Sequence, residues 1–188
     1  YQVVIVPVAA HKPGVLEKAA EIAETLKKAG LRVKLDDSDQ SPGWKYAQYE
    51  MKGVPLRLEI GPRDIENGNC VLVRRDNREK TVVALDNLVE STQQMLKDFA
   101  KAIYEKAKAN LEGNITPAHN IQEMKDILQK RVGFVKAMWC GDEHCEEVIK
   151  NETGMPSRCI PFEQEHIDDV CPVCGKPAKH MVYWGKQY

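Results

Sequence analysis

The sequence contains no long apolar run and no segment typical of a membrane anchor. A transmembrane helix needs about 20 consecutive, mostly apolar residues, and no such stretch occurs among the 188 residues. No positively charged segment followed by an apolar one opens the sequence, so we expect no secretory signal. We therefore predict a cytoplasmic protein whose thiols stay reduced and which has no membrane partner.

An excess of positive charge is also absent, which limits how the protein can bind nucleic acids. Lys and Arg number 27 against 28 Asp and Glu, giving a formal net charge of -1 at pH 7. This balance excludes a basic field over the whole surface, so any RNA contact must come from a local cluster. The 43% of hydrophobic residues is ordinary for a globular protein of one large or two small domains.

Glycine-rich loops that cradle phosphate groups are missing as well. Gly14 follows the first predicted strand alone, without the further glycines of a dinucleotide-binding loop. The sequence therefore predicts no nucleotide site of that kind. Because Tyr1 stands directly before a strand and no Met opens the chain, we expect the chain to be a piece of a longer protein.

The first half of the sequence alternates strand patterns with helix patterns. Short runs rich in Val and Ile predict buried strands, and apolar residues spaced three and four apart predict helices. The predicted strands are Gln2–Val8, Leu31–Leu35, Val54–Ile60, Cys70–Arg75 and Thr81–Leu85, with a hairpin-type turn at Glu66–Asn69. The predicted helices are Val15–Ala29, Trp44–Lys52 and Asp86–Asn110. The first strand, helix and strand indicate a parallel βαβ unit, so we expect an α/β domain with a mixed five-stranded sheet flanked by helices.

The second half predicts a smaller α/β domain. Gly113–Pro117 has the composition of a linker, so we place one domain at residues 1–112 and another at 113–188. The elements predicted after the linker are the helices Ile121–Arg131 and Glu143–Asn151 and the strands Phe134–Trp139, Arg158–Phe162 and Met181–Trp184.

Four cysteines occur in two short pairs within this second half. Cys140 and Cys145 are separated by four residues, and Cys171 and Cys174 by two. Loops of this length can present two thiolates to one ion, and zinc favours four such ligands in a tetrahedron. We therefore predict a structural zinc site that helps this domain to fold.

Other interpretations of these residues stay open at this point. The cysteines can be free or packed in the core, Cys171 and Cys174 can form a redox pair, and His144 can replace Cys145 as a ligand. We expect Cys70 and Cys159 to pack as small apolar residues within strands. His166 and His180 are expected to be exposed to solvent.

Residues 41–64 concentrate side chains that can bind single-stranded RNA. Three aromatic residues, Trp44, Tyr46 and Tyr49, can stack on unpaired bases. Arginine can donate to O6 and N7 of guanine, and carboxylates can accept from its N1–H and N2–H₂ groups. The candidate donors and acceptors are Arg57, Arg63, Glu50 and Asp64. The alternative is a solvated surface where these charges form weak ion pairs and the aromatic residues belong to the core.

Several motifs resemble one family across essentially the whole chain. The run KGVPLRLEIGPRD (Lys52–Asp64) is similar to the anticodon-binding domain of class II aminoacyl-tRNA synthetases in its prolyl form. WCGDEHCEE (Trp139–Glu147), SRCIPF (Ser157–Phe162), CPVCGKPA (Cys171–Ala178) and the final Tyr188 resemble a second region. That region is the zinc-binding C-terminal domain of archaeal and eukaryote-like prolyl-tRNA synthetases, which is also found in some bacteria.

This resemblance implies that the first domain reads the anticodon of proline tRNA. Proline codons require two adjacent guanines in the anticodon, which match the arginine and carboxylate groups above. The resemblance implies a stacking role for Tyr46, and base-reading roles for Glu50, Arg57, Arg63 and Asp64. Supporting contacts from Arg75 and Lys80, and a Tyr188 carboxylate directed toward the catalytic domain, are implied in the same way.

The resemblance also implies a division of labour in a longer parent enzyme. The parent would be a homodimeric proline–tRNA ligase that uses ATP and Mg²⁺ in its catalytic domain. The class II motifs that bind ATP and proline do not occur in these residues, so we expect the fragment alone to be inactive. Its partners would be proline tRNA and its own catalytic domain, with no role for DNA. The alternatives are a free-standing zinc-containing tRNA-binding accessory protein and a zinc-stapled protein-interaction module.

Overall fold

The computed structural model describes residues 1–130 and 133–186, and it divides the chain into two compact units, Tyr1–Glu105 and Lys106–Tyr188. The division lies within a long helix. The domain boundary predicted between residues 112 and 113 lies near the end of the same helix and remains a prediction. None of the helices in the described ranges is both long and apolar enough to cross a membrane.

The first unit is built on a mixed sheet of five strands, which confirms the predicted fold class. The sheet has the order β2-β1-β3-β4-β5. Strand β1 pairs parallel with β2 and β3, whereas β3–β4 and β4–β5 are antiparallel pairs. The strands are β1 (Val3–Pro7), β2 (Val33–Leu35), β3 (Leu56–Ile60), β4 (Asn69–Arg74) and β5 (Lys80–Ala84).

Helices pack against both faces of this sheet. On one face, α1 (Val15–Lys28) and the start of α4 (Leu88–Gly113) pack against apolar side chains that include Leu56 and Leu58. On the other face, α2 (Pro42–Met51) packs on Val4 and Val6 of β1. Val54 belongs to this second cluster, and the strand predicted from Val54 begins only at Leu56.

A short helix stands where the sequence suggested only a turn. α3 (Pro62–Glu66) connects β3 to β4, and a 3-10 turn (Leu85–Asn87) leads into α4. Pro62 at the first helical position is favourable because its missing N–H group would have no partner there. Gly61 and Pro62 thus follow the end of β3 directly and begin a helix.

The second unit has its own four-stranded sheet and core. Its order is β6-β7-β9-β8, with β6 parallel to β7 and the other pairs antiparallel. The strands are β6 (Ile115–Pro117), β7 (Phe134–Trp139), β8 (Ser157–Cys159) and β9 (His180–Gly185), and the helices are α5 (Ile121–Lys130) and α6 (Glu143–Thr153). Trp184 and Met124 are fully buried in its core.

Two predictions about the second unit were wrong, and one lies outside the described residues. The linker predicted at Gly113–Pro117 is instead the end of α4 and strand β6, because Ile115 pairs with Phe134 of β7. The strand predicted over Arg158–Phe162 stops at Cys159, and Phe162 is fully exposed. Arg131, the predicted end of α5, lies outside the described residues.

Candidate nucleic-acid interface and metal centre

The face of the first sheet that carries α2 is exposed at β5, where α2 does not cover it. Opposing residues of neighbouring strands share a face, and Arg57 of β3 lies opposite Val73, which lies opposite Lys80 of β5. Val82, two residues along β5 and therefore on the same face, is 66% exposed. The sheet thus presents an open strip that runs from Arg57 to Lys80 and Val82, and α2 borders this strip without covering it.

Helix α2 places two of the predicted RNA-binding residues at this open strip. Ser41 caps the helix by accepting a hydrogen bond from the backbone N–H of Trp44, at 3.4 Å. Tyr46 and Glu50 are four residues apart and therefore lie on one side of the helix, facing β3. Both contact Arg57 across the gap between helix and strand.

Arg57 is the centre of the cluster. Its guanidinium carbon lies 3.8 Å from the centroid of the Tyr46 ring. Its Nη1 donates to Oε1 of Glu50 at 3.2 Å, and its Nη2 lies 2.9 Å from Oε1 of Glu59. With a side chain only 12% exposed, Arg57 is held by a stack on one side and by carboxylates at its edges.

Glu59 is a residue of this cluster to which the sequence analysis assigned no function. It accepts from Nε of Arg57 at 2.9 Å through Oε1 and from Nζ of Lys80 at 3.2 Å through Oε2. Burial raises the pKa of Tyr46, and the charge of Glu59 and its hydrogen bond to the phenol add to that rise. The alternation of Leu56, Leu58 and Ile60 with Arg57 and Glu59 was the available signal, because it puts both charges on one face.

Further cations border the same cleft. Arg78, in the turn between β4 and β5, lies 3.5 Å from Glu50 through its Nη2. Arg75 lines the cleft together with Tyr46, Glu50 and Arg57, and its guanidinium carbon lies 5.4 Å from the Phe99 ring centroid. Cations therefore outnumber carboxylates here, although the chain as a whole has a net charge of -1. Such a local basic cluster is what an RNA contact requires in this chain.

Two predicted base readers lie apart from the cluster, on α3. Asp64 caps the helix start by accepting from the backbone N–H of Gly61 at 2.8 Å through Oδ2. Arg63 is exposed on the same short helix. In the described part of the chain, no hydrogen bond or ion pair joins either residue to Arg57.

The three aromatic candidates have different surroundings. Tyr49 is only 7% exposed and packs against Val4, so our prediction that it can stack on bases is wrong. Burial and the neighbouring Asp36 carboxylate raise the pKa of Tyr49 to about 12. Trp44 is 48% exposed, and Tyr46 is half-buried beneath Arg57.

Four cysteine sulfurs converge in the second unit. The Sγ atoms of Cys140, Cys145, Cys171 and Cys174 all lie within 4.8 Å of one another, and those of Cys140 and Cys174 are 3.7 Å apart. Four ligands at about 2.3 Å from a tetrahedral zinc ion would stand about 3.8 Å from each other. The donor set and its spacing therefore fit a metal ion.

The two pairs are presented by turns that glycine makes possible. Gly141, directly after Cys140, has φ of +90°, and Gly175, directly after Cys174, has φ of +67°, where a Cβ atom would be strained. The amide of Gly175 donates to the carbonyl of Cys171 at 3.0 Å, which closes the second turn. Cys145 lies in the first turn of α6.

The surroundings of the sulfurs differ in polarity. Burial raises the pKa of Cys140 and of Cys145, so without a cation both would stay protonated. The backbone N–H of Lys176 lowers the pKa of Cys174 to about 7. A metal cation would stabilise all four as thiolates.

The remaining cysteine and histidine predictions had mixed outcomes. Cys70 is fully buried, as predicted, whereas Cys159 is exposed and that prediction was wrong. His144 is exposed, and the converging group consists of cysteines alone, so His144 does not replace Cys145. His166 is exposed as predicted, but His180 is half-buried, with its ring centroid 6.1 Å from that of Trp139.

Comparison with family models assigns both units. A model described as "Anticodon binding domain" matches residues 2–95, and one described as "Prolyl-tRNA synthetase, C-terminal" matches residues 121–188. The chain belongs to the prolyl-tRNA synthetase family. The anticodon-binding match covers the sheet that carries Arg57, and the C-terminal match covers the four cysteines.

Individual members of the prolyl-tRNA synthetase family are similar over the whole chain. A proline–tRNA ligase of Clostridium botulinum (strain Okra / Type B1) is 56% identical over 187 residues. Those of Ruminiclostridium cellulolyticum and Lachnospira eligens are 54% and 52% identical over the same length. Each alignment covers 100% of this chain but only 39% of the relative, so the chain spans well under half of these relatives.

One predicted site residue lies beyond the structural account. Tyr188, whose carboxylate the family resemblance directed toward the catalytic domain, lies outside the described residues. The base-reading roles of Tyr46, Glu50, Arg57, Arg63, Asp64, Arg75 and Lys80 remain predictions, although four of them, Tyr46, Glu50, Arg57 and Lys80, now belong to one contact network.

Proposed function

We propose that the first unit reads the anticodon of proline tRNA on behalf of a longer prolyl-tRNA synthetase. The observation that carries the proposal is the Arg57 cluster, which lies on the open face of a unit that matches the anticodon-binding family model. The cluster offers donors, acceptors and a stacked aromatic ring within one cleft. These are the groups that unpaired guanine requires.

The chemistry of the cluster suits guanine better than adenine. Arg57 can donate to O6 and N7 of guanine, whereas adenine presents a donor at the position of O6. Glu50 can accept from the N1–H and N2–H₂ groups, which adenine lacks at those positions. The stacked pair of Arg57 and Tyr46 provides a flat surface against which a neighbouring base can lie.

The remaining predicted readers would complete the contact with the anticodon loop. Arg63 and Asp64 would meet the second guanine from α3, with Asp64 also capping that helix. Arg75 and Lys80 would supply supporting contacts to the bases or phosphates. The Lys80 side chain is 60% exposed although its Nζ is paired with Glu59, so it would be accessible to RNA.

The second unit would hold a structural zinc ion on four cysteine thiolates. The ligands would be Cys140, Cys145, Cys171 and Cys174, which leaves no open position for chemistry at the metal. The ion would hold β7, α6 and the turn at residues 171–175 together. Its binding free energy would stabilise the folded second unit.

The activity of the parent enzyme would lie outside this chain. The parent would be a homodimeric, cytoplasmic proline–tRNA ligase of the archaeal or eukaryote-like type. It would bind ATP and Mg²⁺ in a separate catalytic domain, toward which the Tyr188 carboxylate would point. The fragment alone would support binding of proline tRNA but would not activate proline.

Substitution of Arg57 tests the proposed function. Arg57→Ala should weaken binding of proline tRNA and lower the preference for guanine in the anticodon by about tenfold or more. Dissociation constants would be measured for proline tRNA and for a transcript with both anticodon guanines changed to adenine. Arg32→Ala, an exposed arginine before β2, serves as the control and should keep the preference.

The opposite results would favour the two rival functions. Equal affinity of the unaltered chain for both transcripts, falling steeply with salt, would indicate a general tRNA-binding accessory. No tRNA binding at low salt would indicate a protein-interaction module. Either outcome contradicts the anticodon proposal.

A further inference from the structure

We infer that Glu59 is a positioning residue for anticodon discrimination, one that acts on the bases through Arg57. The inference rests on the proposed anticodon function and deepens it. Both oxygens of Glu59 are engaged by the protein's own cations, Oε1 by Arg57 and Oε2 by Lys80. Both oxygens of Glu50 are paired as well, but Glu59 is the more buried of the two, so Glu59 orients its neighbours and leaves the contact with a base to Glu50.

Burial makes Glu59 suited to this role. Its side chain is 11% exposed, compared with 34% for Glu50, so Glu50 faces the cleft while Glu59 lies beneath it. β3 fixes the backbone of Glu59 between β1 and β4, through the partners Val6 and Val71. The carboxylate is therefore a rigid anchor for two long side chains, Lys80 and Arg57, the second of which is also held by Tyr46 and Glu50.

The orientation of Arg57 affects the preference for guanine more than it affects the overall affinity for RNA. Guanine is distinguished from adenine by the direction of the donors on Arg57, whereas attraction to phosphate depends on charge alone. Holding Arg57 before RNA binds reduces the side-chain entropy lost on binding. Meanwhile the negative charge of Glu59 opposes the approach of any RNA strand.

These two effects give Glu59→Gln a distinctive expected result. Neutralising the carboxylate frees Arg57 and Lys80 from their anchor, so the preference for guanine over adenine should fall about tenfold. The loss of one negative charge should leave the affinity for the adenine-containing RNA unchanged or higher. A purely structural defect would instead weaken the binding of both RNAs.

The test uses the full 188-residue chain purified with its bound metal and two anticodon stem-loops. One stem-loop carries the two guanines of proline tRNA, and the other carries adenines in their place. Dissociation constants for both are measured with the unaltered chain, with Glu59→Gln and with Glu66→Gln. Glu66 is an exposed carboxylate on α3, so its variant is a control for the same change in charge.

A double variant shows whether Glu59 acts through Arg57. In the Arg57→Ala background, Glu59→Gln should cause no further loss of guanine preference, because the residue it orients is gone. This background also removes the buried cation that Glu59→Gln would leave with Glu50 as its one remaining carboxylate partner among the described residues. If Glu59→Gln alone shows no thermal unfolding transition, the double variant therefore still decides.

Two outcomes overturn the inference while the anticodon function stands. One is an unchanged guanine preference in Glu59→Gln. The other is a further loss of preference in the double variant, which would show that Glu59 contributes to discrimination by a route other than Arg57. If the unaltered chain binds both stem-loops equally, the anticodon function itself fails, and the role of Glu59 fails with it.

Discussion

A buried ion pair in the first unit fixes the position of the helix that carries Tyr46 and Glu50. Nζ of Lys45, on α2, donates to the backbone carbonyls of Asp36 and Ser38 at 2.9 and 2.7 Å. The same Nζ lies 3.5 Å from the Asp36 carboxylate, and both side chains are more than nine-tenths buried. Lys45 therefore joins α2 to the loop after β2, and the position of the cleft residues depends on this pair.

Lys45→Met should destabilise the first unit by about 3 kcal/mol, because it leaves the Asp36 carboxylate buried without its cation. Urea unfolding followed by circular dichroism measures the change. Lys97→Met, at an exposed position on α4, should change stability by less than about 0.5 kcal/mol. Equal stability of the two variants would show that the buried pair contributes nothing.

The same pair gives the stability a predictable dependence on pH. Burial alone would raise the pKa of Asp36, but hydrogen bonds from Ser38 and the charge of Lys45 bring that pKa below its usual range. A lowered pKa in the folded state stabilises the protein above the unfolded-state pKa, and the effect is lost as pH falls through the folded value. The stability difference between the unaltered chain and Asp36→Asn should therefore be present at pH 7 and shrink below about pH 4. A difference that does not change with pH would contradict the ionised pair.

At the residue scale, the sequence predicted which side chains come together in a site better than it predicted which side chains are buried. The four metal-binding candidates and the pair of Arg57 and Glu50 follow from spacing and residue type, and the structure brings each set together. The sequence could not show that Tyr49 is buried while Tyr46 borders the cleft. The two rings are three residues apart on a short helix, and only the packing of that helix on the sheet shows which ring faces the core. Glu59 was missed because its role depends on Lys80, 21 residues away in the chain.

At the scale of the elements, segments with a clear apolar pattern were predictable, whereas β6 and α3 were not. The five strands of the first sheet and the helices α1 and α4 follow from hydrophobic periodicity. β6 escaped prediction because Gly113–Pro117 has the composition of a linker and the pairing of β6 with β7 is a tertiary contact. α3 escaped because five residues held by a cap at Asp64 look like a turn.

The cap on α3 gives a prediction for that element. Asp64→Ala should lower the stability of the first unit by about 1 kcal/mol, since the Gly61 amide loses its acceptor. Asp64→Asn keeps an acceptor oxygen and should cost clearly less. Chemical unfolding of both variants measures the difference, and equal losses would show that the cap does not stabilise α3.

At the scale of the whole molecule, two compact units with separate cores should respond separately to metal loss. The cysteine cluster lies entirely in the second unit, and the Arg57 cluster lies entirely in the first. No single hydrophobic core spans both sets of residues among the described positions. Stability and RNA recognition can therefore be tested one unit at a time.

Removing the metal should destabilise the second unit and leave the stability of the first unit unchanged. After chelation, hydrogen exchange at the amides of β7, α6 and β9 should accelerate, while exchange in β1 and β3 stays slow. The chain should bind one zinc ion as purified. Cys171→Ser should lose that ion, whereas Cys159→Ser, which changes an exposed cysteine outside the cluster, should retain it. Retention of metal by Cys171→Ser would contradict the four-cysteine site.

Anticodon reading by this chain is tested most directly by measuring its affinity for two anticodon stem-loops across a range of salt concentrations. One stem-loop carries the guanines of proline tRNA, and the other has them replaced by adenines. If Arg57 and its partners read base edges, the overall affinity falls with salt while the preference for guanine persists at every concentration. Equal affinity for the two RNAs at all salt concentrations would contradict anticodon reading by this chain.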